Sequence, residues 1–150
     1  MISRRNLIIK RIPSRTENLL EVREFVGTAA RSFGFSEEDI ANIVLAVDEA
    51  CTNIIKHAYQ YANDREIEVT ILPSQQSFEI RIFDNGKAFD PEALRPPNLK
   101  EHIGHHRRGG LGVYLMKRLM DKVEYSFNPG KKNEVRLIKY RSTSSVVSGR

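Results

Sequence analysis

Two short segments, EIEVTIL (Glu66–Leu72) and SFEIRIFD (Ser77–Asp84), constrain the fold of this chain most. Ile67, Val69 and Ile71 alternate with other residues in the first, as do Phe78, Ile80 and Ile82 in the second. Alternation puts each set on one face of a strand. Pro73 to Gln76 supply only a turn, so the two strands pair antiparallel and present one apolar face that needs a covering layer. Segments with a helical period can supply it. Ser14 stands three residues before Glu17, a capping-box spacing, and LLEVREFVGTAARSF follows up to Gly34. Ser36 and Asp39 open a second helix that runs to about Ala62, where YANDRE breaks the pattern. GGLGVYLMKRLMDK is a glycine turn entering a third. Leu7–Ile12, Val123–Phe127 and Glu134–Tyr140 read as further strands. The expected fold class is an α/β two-layer sandwich, with a mostly antiparallel mixed sheet of about five strands and three main helices on one face.

Composition sets limits on function. The 150 residues are 40% hydrophobic and 29% charged, ordinary usage for one domain with a real core. A single domain is expected over 1–140, with 141–150 a polar, frayed tail. The one cysteine, Cys51, cannot form an internal disulfide and reads as a core residue in a reducing compartment. No run approaches the ~18 apolar residues of a membrane span, and MISRRNLIIK is too short in apolar residues for a signal peptide. A cytoplasmic location without membrane contact is expected. The net charge of +5 is spread along the chain. It reads as a solvated surface, with no interleaved aromatic and basic residues to suggest direct nucleic-acid binding.

On the second helix, Ile40, Ile43, Val44, Val47, Cys51, Ile54, Ile55 and Ala58 form a core-facing stripe. Glu49, Asn53 and Lys56 form another beside it, at the rim of the buried surface. A solvated face with a Glu–Lys pair is one reading of that stripe. The other starts from Asn53, a mediocre helix former whose oxygen suits Mg²⁺. A glutamate one turn away could then be a base. Asp84 shares parity with Phe78, Ile80 and Ile82, so it points to the apolar face, where a carboxylate is costly unless hydrogen-bonded. Asn85-Gly86 would suit a hairpin turn, but KAFDPEALRPPN does not continue as a strand. The aspartate could instead accept a hydrogen bond from a ligand amino group. Gly109, Gly110 and Gly112 precede a helix whose free N–H groups could hold an anion. Neither a P-loop nor a dinucleotide fingerprint is present. The aperiodic stretch Lys87–Arg108 has the length of a lid. His102, His105 and His106 within it lack a cysteine and do not make a zinc site. His57 falls beside the apolar stripe and reads as a packed, hydrogen-bonded histidine.

The three motifs together resemble those of the GHKL ATPase superfamily, with its Bergerat nucleotide-binding fold. They are most similar to its stand-alone bacterial branch of anti-sigma-factor serine/threonine kinases. DEACTNIIKHAY resembles the N box, FDNGKAFDP the first glycine box and RRGGLGVYLMKRLMD the second; the resemblance spans about Leu7 to Tyr140. It implies that Asn53 ligates Mg²⁺ and that Glu49 is the general base. It also implies that Asp84 binds the adenine amino group of ATP, that Gly86 belongs to the same box, and that Gly110 and Gly112 lie along the phosphates. Lys56, Arg107 and Arg108 are further phosphate contacts by the same likeness. Ala88 stands where sensor histidine kinases have a second glycine, and the first helix carries no histidine, so autophosphorylation on histidine is not expected.

The resemblance implies a protein kinase that moves the γ-phosphate of ATP to a serine or threonine. Its implied partners are a STAS-type anti-anti-sigma protein as substrate, a sigma factor as the held target, and a second copy of the chain in a homodimer. The rival expectation is a nucleotide-gated protein-binding module with little phosphotransfer. Glu49 favours the kinase, because a pure binder needs no base there.

Overall fold

The fold is that of a computed structural model, which describes residues 7–94, 108–128 and 131–141. The elements are β1 (Ile8–Pro13), α1 (Leu19–Phe33), α2 (Glu37–Asn53), β2 (Glu66–Pro73), β3 (Ser77–Asp84), α3 (Arg108–Leu119), β4 (Lys122–Ser126) and β5 (Asn133–Tyr140). The strands form one sheet in the order β1-β2-β3-β5-β4. Every neighbouring pair is antiparallel, so the sheet is not mixed in its hydrogen bonding. β3 and β4 do run parallel, but β5 lies between them.

The two-residue period sets the register. Val69 faces Ile82, Ile71 faces Ile80, and across the next ladder Ile80 faces Leu137 and Ile82 faces Val135. These residues are buried against Val22, Val26, Ile43, Val47 and Met116 from the three helices. No helix among the described residues is long and apolar enough to cross a membrane. On the opposite face of the sheet, Glu79 is only 4% exposed. Burial favours its neutral form, but Arg136 and Arg81 outweigh burial and hold its pKa below the usual value. Arg136 Nε donates to Glu79 at 2.9 Å and its Nη1 donates to Glu124 at 2.8 Å.

Local signals worked unevenly. Ser36 caps α2, accepting from the Asp39 N–H at 3.1 Å, and Gly34 ends α1 at a left-handed φ of 105°. Ser14 is not a cap. Its hydroxyl donates to the Ala62 carbonyl at 2.7 Å, and a 3₁₀ turn, Thr16–Asn18, precedes α1. A long-range partner thus outcompetes the local one. The second helix does not continue to Ala62 in α-helical form. α2 stops at Asn53 and gives way to a π-helical turn, Ile54–Ala58. The Tyr59 N–H reaches the Ile54 carbonyl at 2.9 Å, and Gln60 and Tyr61 then adopt left-handed φ values of 49° and 67°. Cys51 is fully buried, and burial, followed by Asp48, pushes its thiol up to about 12.

Arg141, expected to begin a loose tail, is anchored. It stacks over Phe33 at 3.8 Å and donates to the carbonyls of Phe33 at 2.9 Å and Gln75 at 3.1 Å. The rest of the tail, 142–150, lies outside the described residues. So does most of the expected lid, including His102, His105, His106 and Arg107; its first part forms a short 3₁₀ turn, Pro91–Leu94.

Candidate active site

The end of α2, the turn after β3 and the start of β5 meet at one corner of the sandwich. Asn53 lies deeper than the rim position expected of it, at 1% exposure. Neither its Oδ1 nor its Nδ2 has a hydrogen-bond partner. Glu49 and Lys56, one turn to either side, are half-buried. A buried, unpaired amide is rare in a native fold and marks either a ligand site or a defect. An amide oxygen with nothing to accept from is also the donor type that a hard cation takes.

Asp84 is buried where β3 ends, as its parity requires. It is not without protein partners: its Oδ1 accepts from the Gly86 N–H at 2.8 Å and from Asn133 Nδ2 at 3.0 Å. Burial raises the pKa of this carboxyl, with Asn133, the Gly86 N–H and Arg65 opposing the rise. Both described bonds fall on one oxygen, which fixes the carboxylate plane.

Asn133 was not foreseen as a site residue. It is the first residue of β5 and faces Asp84 directly in the ladder. Its Nδ2 also donates to the Gly86 carbonyl at 3.0 Å, so the one amide ties both the aspartate and the glycine turn. The turn is held from the other side by Tyr59. The Asn85 N–H donates to its hydroxyl at 3.1 Å, and that hydroxyl lies 3.0 Å from Asn85 Oδ1. Arg65 sits over the Tyr59 ring at 5.1 Å and donates to the Asn85 carbonyl at 3.1 Å.

His57 is packed as expected but not fully hydrogen-bonded: its Nε2 is buried and unpaired. Its ring lies 5.6 Å from that of Phe89. Burial, and next to it the Lys56 charge, lower its pKa and favour the neutral imidazole. The hydroxyl of Tyr125, on β4, is also buried and unpaired. It adjoins Asn53 without completing a hydrogen bond of good geometry, and burial raises its pKa.

The glycine-rich segment differs from expectation in its placement. Gly109, Gly110 and Gly112 do not precede the helix; they lie in its first turns, because α3 begins at Arg108. Val113 and Met116 pin α3 to the core, and α3 packs along α2. Gly109 and Gly110 thus stand in the first turn, where backbone N–H groups have no intrahelical partner. Arg108 opens this helix, while Arg107 lies just outside the described residues.

Comparison with known proteins follows the same lines. Residues 12–139 match the family described as "Histidine kinase-like ATPase domain". The serine-protein kinase RsbW of Bacillus pumilus (strain SAFR-032) is 36% identical over 131 residues, covering 83% of this chain and 81% of that protein. The serine-protein kinase RsbW of Bacillus cereus (strain AH820) is 33% identical over 134 residues, covering 87% and 83%. Among solved structures, a chain of the SiaB–SiaC complex from Pseudomonas aeruginosa shares the fold with a TM-score of 0.63. It is 13% identical and the match covers 87% of this chain and 88% of that one. The chain belongs to the histidine kinase-like ATPase family, an ATP-using family, and within it to the RsbW-type serine-protein kinases.

Proposed function

We propose that this chain is an ATP-dependent serine/threonine protein kinase that acts as an anti-sigma factor. Its substrate is a STAS-type antagonist protein in a partner switch, its held target is a sigma factor, and the working form is a cytoplasmic homodimer. The observation that carries the reading is Asn53, a buried amide with no hydrogen-bond partner, on the helix whose end docks against the turn that follows the fixed carboxylate of Asp84, in a chain of this family.

The donor set fits Mg²⁺, since Asn53 offers a neutral hard oxygen with nothing else to bind and nearby phosphates would supply the remaining ligands. Bound there, the ion would offset negative charge on the phosphate oxygens. The chain's own residues do the rest. Asp84, fixed through Oδ1, orients its carboxylate to accept from an adenine amino group. Gly86 lets the backbone come close to the base. Lys56, Arg107 and Arg108 bring positive charge toward the phosphates, and the N–H groups around Gly110 and Gly112 face them. Glu49 takes the proton from the serine or threonine hydroxyl as that oxygen attacks the γ-phosphorus, the bond from that phosphorus to the β,γ-bridging oxygen breaks, and ADP leaves. Positioning and electrostatics supply most of the acceleration.

The test is to incubate the protein with γ-labelled ATP, Mg²⁺ and STAS proteins encoded near it. Acid-stable label on a serine or threonine of one of them is expected. Nucleotide-dependent binding of the same protein without label would establish the nucleotide-gated module instead.

A further inference from the structure

Among the described residues, only Asn53, His57 and Tyr125 carry buried side-chain polar atoms without partners; Tyr125 adjoins Asn53, and His57 stands one helical turn after Asn53. They come from three elements, α2, the π turn and β4, and Phe89 lies over two of them. Its ring is 5.6 Å from His57 and 6.0 Å from Tyr125. It meets Tyr125 and Phe127 edge-on, at 74° and 67°, while those two rings stack on each other at 11°.

We propose that His57 and Tyr125 belong to the nucleotide site and that Phe89 covers them in the free protein. The Phe89 ring fills the slot of the purine, and nucleotide binding exchanges one flat ring for the other. This rests on the reading that Asn53 and Asp84 bound an ATP site.

Three features support the exchange. A lid whose only role was to seal the core would have apolar groups beneath it, yet Phe89 lies against an imidazole whose Nε2 is unpaired and a hydroxyl that reaches Asn53 without a bond of good geometry. Polar groups left this way are a liability unless a ligand satisfies them. Second, Phe89 lies in a segment without regular structure, so its departure breaks no ladder. Third, the chain is pinned just before it, because the Lys87 N–H donates to the Ala58 carbonyl at 2.8 Å. Residues up to Lys87 can stay fixed while Phe89 swings. A purine leaves its amino group for Asp84 and still carries ring nitrogens that can accept from the Tyr125 hydroxyl and from a His57 Nε2–H, which a phenyl ring cannot.

The test uses the full chain and binding of a non-hydrolysable Mg-ATP analogue, measured by calorimetry. Tyr125→Phe removes only the unpaired hydroxyl. It should weaken binding about tenfold, the worth of a lost hydrogen bond, while the melting temperature without nucleotide stays level or rises. Phe89→Leu, a folded substitute for the riskier Phe89→Ala, should bind the analogue more tightly than the wild type, since a smaller plug competes less. The chain has no tryptophan, so Phe89→Trp gives a single fluorophore whose emission should shift to the red as the analogue displaces it. Unchanged affinity in Tyr125→Phe, weaker binding in Phe89→Leu, or unshifted emission at saturation would each overturn the proposal. If these fail while Asp84→Asn still weakens binding, only the plug falls; if the wild type binds no nucleotide, the site reading falls with it.

Discussion

The Ala58 carbonyl oxygen stands 2.5 Å from the point where a Cβ on Gly86 would lie. That oxygen is presented by the π turn at the end of α2, and it accepts the N–H of the residue after Gly86, at 2.8 Å. The glycine is therefore required by proximity, since its neighbours here are backbone and the Tyr59 ring, neither of which can give way cheaply. Gly86→Ala should destabilise the protein by about 1–3 kcal/mol, the usual range for overpacking. Each kcal/mol corresponds to a melting temperature lower by roughly 2–4 °C at this size. It should also shift Asp84 and weaken ATP binding. A scanning calorimetry trace identical to the wild type would show that the two segments can separate freely.

Asp84→Asn should weaken ATP binding by about 10–100-fold, the effect of mispairing a buried hydrogen bond. The same change should not lower stability at neutral pH. Burial raises the folded-state pKa of Asp84 above its ordinary 3.8. The folded protein thus holds this proton more tightly than the unfolded chain, and the residue's contribution to stability declines as pH rises from about 3.8 through the folded value. Above that window the buried charge is a net cost, which the asparagine lacks. Melting curves of the two proteins should draw apart in favour of Asp84→Asn as pH rises. Curves that diverge the other way would mean the Asn133 and Gly86 bonds outweigh burial.

Glu49 and Asn53 should fail differently. Asn53→Ala should lower Mg-ATP binding and phosphotransfer together. Glu49→Gln should retain binding of Mg-ATP and partner, while phosphotransfer drops by about 10²–10⁴, the usual worth of a positioned base. Single-turnover transfer to the STAS partner measures this. A wild-type rate in Glu49→Gln would remove Glu49 from the chemistry.

Arg141→Ala should cost about 1–2 kcal/mol, from the stacked cation and its bonds to two carbonyls. Chemical denaturation would show it as a lower midpoint at unchanged slope. No change in midpoint would mean that Arg141 contributes nothing to holding α1 against the β2–β3 turn.

The sheet was readable because alternation along β2 and β3 is local information. So was the cap at Ser36, whose partner is three residues away. Asn133 was not readable. Its bond to Asp84 spans 49 positions and exists only once β5 has paired with β3 in one register. The π turn was hidden for a different reason. IIKHA carries an ordinary helical pattern of apolar residues, and the groups that meet the wider turn, Lys87 and Gly86 against Ala58, come from beyond β3. Arg141 escaped notice because its polar neighbours suggested a tail, and no sequence signal announces a cation stacked on a ring at the far end of α1. The polar stripe of α2 was visible as spacing, but the depth of Asn53 and its lack of a partner emerge only from packing.

Cys51 lies between Glu49 and Asn53 in sequence, is wholly enclosed, and is the one thiol in the chain. A thiol-labelling reagent can reach it only when α2 opens. Labelling kinetics therefore read out, without any added probe, how often this particular helix comes away from the core. Because Asn53 is two residues further along the same helix, a ligand held there should slow labelling in proportion to its occupancy. The cell's own oxidants meet the same barrier: the helix that carries the proposed base and metal ligand shields its sulfur for as long as it stays folded.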